Sequence, residues 1–320
     1  MRNKEMESMQ ESWNRTDLND ALGRVAVLMG GTAAERDISL KSGTEVTKAL
    51  QQTGVNATAC DVKSVQDVLA VTEQYDRAFI ALHGRWGEDG GVQALLDALD
   101  FPYTGSQMTA SALAMDKLRT KWLWQGVGLP TPGFQVVSPS QPFDKSAFEL
   151  RFPVIVKPSH EGSSIGMRKV DDLDALEEAI AFAQDYDTEI LIEQWVTGRE
   201  YTCAVLGDSA LPMIHLKTDH DFYDFDAKYQ SSSTQYICPC GLPVEQEADI
   251  QALVVEAFHA IGARHWGRVD LMLDENDQAW LIELNSVPGM TDHSLVPMAA
   301  KAAGIDFPEL VRRILSMTLA

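Results

Sequence analysis

One arginine, two carboxylates and a carboxamide recur near the C-terminal end of the chain at spacings that alternation can bring together. Two apolar runs, Val269–Leu273 and Ala279–Leu284, flank the polar stretch Asp274-Glu275-Asn276-Asp277, the pattern of a β-hairpin. A symmetric turn over those four residues sets Arg268 opposite Glu283 and Asp270 opposite Leu281. Side chains alternate along a strand, so Arg268, Asp270, Glu283 and Asn285 are expected on one face. Val269, Leu271, Leu273, Trp280, Ile282 and Leu284 then form the apolar back. Hard oxygen ligands beside a guanidinium suit Mg²⁺ and phosphate. Taken alone, the same pattern also describes a half-buried hairpin with solvated charges, and that blander reading is the commoner one. A three- or five-residue turn without a bulge would break the register.

Other residues could supply the rest of such a site. Lys157 ends an apolar strand and precedes the loop Glu161-Gly-Ser-Ser-Ile-Gly166, whose small residues would let backbone N–H groups approach phosphate oxygens. The lysine precedes the loop and no GKT or GKS follows, so this is not P-loop spacing. Lys117 reads by itself as a helix-surface charge. Glu193 and Glu200 flank a strand and short turn that could meet an adenine edge and ribose hydroxyls, or they could be plain exposed carboxylates. Glu35 and His83 follow the ends of expected parallel strands, where a carboxylate could bind an ammonium and an imidazole could donate to a carboxylate. A helix-start carboxylate and a satisfied polar histidine remain open for these two. No GxSxG elbow or HExxH pair is present, so His259 and His265 read as packing or surface residues.

The elements that would position these groups are legible in outline. Strands at Arg24–Met29, Val55–Cys60 and Ala78–Leu82 alternate with helices at 38–52, 91–99 and 107–126, the order of a parallel sheet with helices on its faces. Ligands of such sheets sit beyond the carboxyl ends of the strands, and no GxGxxG indicates a dinucleotide. Beyond the Gly-Leu-Pro-Thr-Pro-Gly connection at 128–133 come strands Phe152–Lys157, Glu189–Glu193 and Tyr201–Leu206, with a helix at 172–184. A long irregular stretch at 217–243 suggests a functional loop. Helices at 247–261, 295–303 and 307–318 complete the outline.

At 320 residues, two or three domains are expected, and 45% hydrophobic with 23% charged residues is ordinary for a soluble globular chain. A net charge of −21 argues against a nucleic-acid or anionic-membrane surface, while leaving room for a nucleotide held by local lysines and arginines. Residues 1–22 lack the apolar core of a secretory signal and read as a mobile extension. The four cysteines offer no second pair beside Cys238-Pro-Cys240 for a zinc site, so reduced thiols and a cytoplasmic location are expected.

Seven stretches taken together resemble the D-alanine–D-alanine ligases of the ATP-grasp superfamily. They are GGTAAERDISLKSG (30–43), ALHGRWGEDGGVQ (81–93), PYTGSQMTASALAMDK (102–117), VIVKPSHEGSSIGM (154–167), YDFDAKY (223–229), GRVDLML (267–273) and LIELNSVPGMTDHSLVP (281–297), in order over nearly all of 24–318. The resemblance implies an α/β fold, α+β in its C-terminal half, of three domains. A Rossmann-like substrate domain covers 23–116, a central ATP-grasp subdomain 117–198 and a C-terminal catalytic subdomain 199–320, after an extension at 1–22. It also implies ATP as co-substrate, two Mg²⁺ or Mn²⁺ ions, D-alanine as substrate, a homodimer, and no nucleic-acid or membrane partner.

Residue roles follow from the same resemblance. Asp270, Glu283 and Asn285 match metal ligands. Lys117, Lys157 and Lys228 match groups on the phosphates, and Glu193 and Glu200 the adenine and ribose positions. Arg268 and the Gly289 N–H match stabilisers of a tetrahedral oxyanion. Glu35 and His83 match the first-substrate pocket, Ser294 and Leu295 the second. Ser163, Tyr229 and Glu35 match a hydrogen-bonded set that ties two loops to the N-terminal domain, closing the site to water. Ala227-Lys228-Tyr229 favours a dipeptide product. An ATP-grasp ligase using D-lactate or D-serine as second substrate is the alternative, and a non-catalytic nucleotide-binding module a more distant one. Departures from the family pattern are Trp86, at a position usually small, and His160, where arginine is common.

Overall fold

The computed structural model describes residues 16–162, 164–218, 234–291 and 293–319. Strand β1 (Arg24–Gly30) pairs in parallel with β2 (Asn56–Val62) and β3 (Arg77–Ile80), in the order β2-β1-β3. The helices Arg36–Gln52 and Gly91–Ala98 are those the apolar spacing predicts, and a further helix, Val65–Gln74, begins at Ser64, whose side chain accepts the Asp67 N–H. Val25 to Leu28 and Ala78 to Ile80 are buried on both faces, the run-like pattern of a covered parallel sheet. The apolar face of the last long helix, Phe307–Ser316, joins this N-terminal core through Leu310, Val311, Ile314 and Leu315.

Of the extension expected over 1–22, residues 1–15 lie outside the described ones and the remainder departs from that expectation. Thr16–Leu22 is a helix whose Leu22 is fully buried. The Arg77 guanidinium donates to Leu22 O (2.7 Å) and Ala21 O (3.1 Å), satisfying carbonyls that a helix C-terminus leaves without intrahelical partners. Sequence reading missed this helix because its anchor lies more than fifty residues away.

The second sheet is antiparallel, β4 (Phe134–Val137), β7 (Ile190–Gln194), β5 (Val154–Pro158) and β6 (Arg168–Val170), in that order, with the helix Leu173–Gln184 packed on it. The third, also antiparallel, runs β11 (Gln235–Ile237), β10 (Ile214–Lys217), β8 (Gly198–Leu206), β12 (Trp266–Asp274) and β13 (Ala279–Asn285), with β9 (Ser209–Ala210) beside β8. The stretch expected to be irregular over 217–243 therefore contains an edge strand; its central residues, 219–233, lie outside the described ones. Among the described residues no helix is long and apolar enough to cross a membrane.

Two local differences position the site. The helix expected over 107–126 is broken at Asp116, which leaves helical geometry (φ −89°, ψ 97°) and caps a second helix, Lys117–Gly126, by accepting the Arg119 N–H. Lys117 thus becomes the first residue of a new helix and is buried, whereas one continuous helix would carry it on its surface. The β12–β13 hairpin closes by a tighter turn than a symmetric four-residue one: the Asp274 N–H donates to Gln278 O at 3.0 Å, leaving 275–277 in the turn, Leu273 pairs with Ala279, and Asp277 takes φ +62°. One extra residue, Ile282, is then accommodated as a bulge, so that Asp270 faces Glu283 and Arg268 faces Asn285.

Candidate active site

The bulge preserves the chemistry that alternation predicts while changing the cross-strand partners. Val269, Leu271, Leu273, Leu281 and Leu284 are buried behind the hairpin, each contributing roughly 1.5–3 kcal/mol of hydrophobic stabilisation. Arg268, Asp270, Glu283 and Asn285 occupy the front as expected. Ile282, expected on the back with Trp280, instead lines the front with Met272, because the tighter turn shifts their parity. Asp270 accepts a bidentate pair from Arg268 (Nε to Oδ1 and Nη2 to Oδ2, both 2.8 Å). Thr202 Oγ1 on β8 donates to the same carboxylate at 2.6 Å, and Asn285 Nδ2 at 3.1 Å. Lys117 Nζ lies 3.4 Å from Glu283 Oε2 and donates to Glu161 O at 2.6 Å.

Asp270 and Glu283 are directly opposite across the ladder, an arrangement that repels unless cations offset it. Arg268 and Lys117 supply that offset here. The donor set of two carboxylates and a carboxamide, with the Asn285 Nδ2 turned onto Asp270 so that its oxygen remains to accept a cation, fits Mg²⁺ or Mn²⁺.

Two cavities meet at this floor. The larger, about 590 Å³, lies between the central and C-terminal sheets and is lined by Ile155, Lys157, Glu193, Glu200, Met272 and Ile282 among others. Apolar walls with a few convergent charges suit a planar base and its sugar. Lys157 Nζ is 2.6 Å from Glu193 Oε1, and Lys121 pairs with Glu193 Oε2 while donating to Thr131 Oγ1 at 2.7 Å. Burial pushes the Glu193 carboxyl up, but the two ammonium groups outweigh it and hold the carboxyl below its ordinary value. Burial also brings the Lys121 ammonium down to about 8 against the pull of Glu193.

The smaller cavity, about 450 Å³, lies between the N-terminal sheet and the hairpin, with Glu35, His83, Arg268, Gly289, Ser294 and Leu295 in its wall. Lys117, Gly162 and Glu283 line both cavities. Glu35 starts the helix Arg36–Gln52, and Gly84 holds φ +69°, a left-handed conformation that favours glycine, where a Cβ would also displace the Glu35 carboxylate. Ser294 precedes the helix Leu295–Ala302, whose N-terminal N–H groups favour an anion. A Cβ on Gly289 would come within 3.1 Å of Ser294 Oγ, so any side chain there would crowd this wall. Trp86 is not part of it: it takes φ +71° and lies against Gly91 at the start of the next helix.

Several contributors were not singled out by sequence reasoning. Lys121 stands one helical turn after Lys117, a spacing that could have flagged it. Thr202 sits opposite Asp270 in the β8–β12 register, which only the pairing reveals. Glu88 lines the smaller cavity, and burial, aided by Glu35 and Glu283, raises its carboxyl to about 8 despite the Gly84 N–H. At the root of the glycine-serine loop, His160 Nδ1 lies 2.8 Å from Asp187 Oδ2 and Nε2 3.1 Å from Asp116 Oδ2. The Asp116 hydrogen bond raises its pKa to about 9, with Asp187 adding to the effect and burial opposing it. Ser163, Lys228 and Tyr229 lie outside the described residues.

A nucleotide-sized cavity clamped between two antiparallel sheets, with a carboxylate floor shared by a second cavity on a parallel-sheet domain, defines an ATP-grasp enzyme. Residues 123–316 match the family model "D-ala D-ala ligase C-terminus", and residues 59–106 match "D-ala D-ala ligase N-terminus". A D-alanine–D-alanine ligase of Hydrogenovibrio crunogenus is 72% identical, covering 97% of this chain and 100% of its own. One of Ectopseudomonas mendocina is 55% identical over 92% of this chain and 95% of its own. Among solved structures, the Bacillus anthracis D-alanine–D-alanine ligase superposes with a TM-score of 0.85 at 32% identity, covering 92% of this chain and 97% of that one. The same enzyme complexed with ATP gives a TM-score of 0.82 at 29% identity, over 93% and 97% of the two chains. The chain belongs to the D-alanine–D-alanine ligase family.

Proposed function

We propose that the larger cavity holds ATP, that the smaller holds two D-alanines, and that the γ-phosphoryl group passes between them where Lys117 and Glu283 line both. That shared wall is the observation that carries the reading. The enzyme joins two D-alanines at the expense of ATP, supplying precursor for peptidoglycan. The first D-alanine carboxylate attacks the γ-phosphorus, ADP leaves, and a D-alanyl phosphate forms. The amine of the second attacks the acyl carbon, losing a proton, and inorganic phosphate departs. Phosphorylation is needed because a carboxylate at neutral pH has no adequate leaving group.

In this scheme Glu35 binds the ammonium of the first D-alanine, with His83 in the same pocket. Ser294, Leu295 and the helix N-terminus behind them take the carboxylate of the second. Arg268 and the Gly289 N–H meet the negative charge of the tetrahedral intermediate. Lys117 and Lys157 attend the phosphates, and Glu193 and Glu200 the nucleoside. Asp270, Glu283 and Asn285 would hold two Mg²⁺ or Mn²⁺ ions, which when bound offset charge on the β- and γ-phosphate oxygens. Lys228, Ser163 and Tyr229, which lie outside the described residues, are assigned by resemblance to the γ-phosphate (Lys228) and to the exclusion of water (Ser163 and Tyr229). The enzyme works as a cytoplasmic homodimer.

The test is ADP release with D-alanine against L-alanine, joined to mass analysis of the product. D-Alanyl-D-alanine, formed only with D-alanine, is the expected outcome. Preference for D-lactate as second substrate at neutral pH would sink the dipeptide reading.

A further inference from the structure

His83 lines the smaller cavity, yet both of its ring nitrogens are engaged by the protein. The ring is buried at 7% exposure, with Nδ1 3.1 Å from Val287 O and Nε2 3.2 Å from Ser42 Oγ. A carbonyl oxygen can only accept, so Nδ1 carries a proton. Burial pushes the imidazole pKa down to about 4, so the ring is neutral at pH 7 and Nε2 accepts. Ser42 must therefore donate to it. The Met290 N–H then points to the Ser42 oxygen at 3.4 Å.

Proton positions along this chain are thus fixed by chemistry: Met290 N–H to Ser42 Oγ, Ser42 O–H to His83 Nε2, His83 Nδ1–H to Val287 O. Its two ends grip the backbone at 287 and 290, on either side of Gly289. Ser42 is fully buried in the helix Arg36–Gln52 and is absent from the cavity wall, so it has no direct route to substrate. A buried serine and histidine left unpaired would each cost roughly 1–3 kcal/mol, so the chain resists opening.

We propose that Ser42 and His83 are positioning residues, which hold the Gly289 N–H in place beside Arg268, and that His83 acts through this loop rather than by donating to a substrate carboxylate. The inference rests on the ligase reading above and deepens it. It makes the N-terminal domain responsible for the geometry of the second chemical step, although the oxyanion donors stand on the C-terminal one.

Steady-state kinetics of Ser42→Ala, His83→Asn and the double variant test it, with ADP and dipeptide measured in parallel. Ser42→Ala should lower kcat about tenfold, as loss of one positioning hydrogen bond would, with KM for ATP and for the first D-alanine within about twofold. ADP released per dipeptide should rise, since acyl transfer suffers more than phosphorylation; a purely structural defect would leave that ratio unchanged. The double variant should be no worse than the poorer single one, because both break one chain. Ser42→Cys, with a weaker donor, gives a smaller change in the same direction and serves if Ser42→Ala does not fold. A rise in KM for the first D-alanine with kcat held, or single effects that multiply in the double variant, would overturn the inference. Wild-type enzyme that forms no dipeptide overturns the ligase reading and the inference with it. Wild-type ligation with unchanged kcat and coupling in both Ser42 variants overturns the inference alone.

Discussion

Two ion clusters flank the larger cavity, and they differ in what their charges face. Glu193, Lys121 and Lys157 are each no more than 4% exposed, and the one carboxylate is paired with both ammonium groups. Arg268, Asp270, Glu283 and Lys117 lie in cavity walls, and the side chain of Glu283 keeps 24% exposure. A closed cluster spends its Coulomb energy on offsetting its own desolvation, so it holds shape but adds little net stability. An open cluster can exchange protein partners for ligand charges at small cost. The first is a buried frame that presents Lys157 and Glu193 in the wall of the larger cavity, and the second is the open floor between the two cavities; substitutions can break that contrast.

Glu193→Gln should produce the largest effect. It leaves two buried ammonium groups without their carboxylate, a loss of roughly 3–5 kcal/mol in unfolding free energy at pH 7. Urea denaturation reads this as a lower midpoint at similar slope. Lys121 carries a depressed pKa of about 8 against an ordinary 10.5, so the unfolded chain holds the proton more tightly and stability rises with pH between those values. Without Glu193 the folded Lys121 pKa falls further, so the deficit in Glu193→Gln should shrink as pH rises toward 8 and level off above it. A midpoint unchanged at pH 7 would mean that the closed cluster is not architectural.

Arg268→Ala tests the open cluster. Loss of one oxyanion donor predicts a kcat lower by roughly 10²–10³-fold, about 2.7–4 kcal/mol at the transition state. Binding of ATP should be largely unaffected, because Arg268 lines only the smaller cavity. Its folding stability should fall far less than that of Glu193→Gln, since Asp270 keeps Thr202 and Asn285 as donors. Weakened ATP binding with kcat preserved would reverse the roles assigned to the two clusters.

How far each cluster could be read from the sequence follows from the same distinction. The front-face grouping of Arg268, Asp270, Glu283 and Asn285 was legible because alternation is local. Their pairing was not, because a tight turn and a bulge at Ile282 compensate for one another and neither leaves a clear sequence mark. Lys157 and Glu193 were visible as strand-end charges, and the parallel order of β1 to β3 followed from strand–helix alternation. Their mutual salt bridge depends on β5 pairing with β7, and Lys121 reaches it only because Asp116 restarts the helix. Thr202 and Ser42 were illegible for the same reason: each matters through one long-range contact, and nothing in a serine or threonine's own neighbourhood announces it.

A third charged group separates the two behaviours most finely. His160 sits at the root of the glycine-serine loop, closed onto Asp116 and Asp187 like the buried cluster, yet its side chain is 35% exposed like the open one. Arg119 and Glu189 complete its surroundings, Glu189 being 4.0 Å from Nε2. Its pKa of about 9 in the fold exceeds the ordinary 6.5, so its contribution is complete below pH 6.5 and is lost as pH rises through 9. Solvent screening limits that contribution to about 1 kcal/mol, or about 2 °C in Tm. His160→Arg keeps a cation at this position throughout the range. The melting temperature of the variant relative to wild type should therefore climb by about 2 °C between pH 7 and pH 10. A difference independent of pH would place His160 among the neutral struts, with His83, and remove the loop root from the charged half of the comparison.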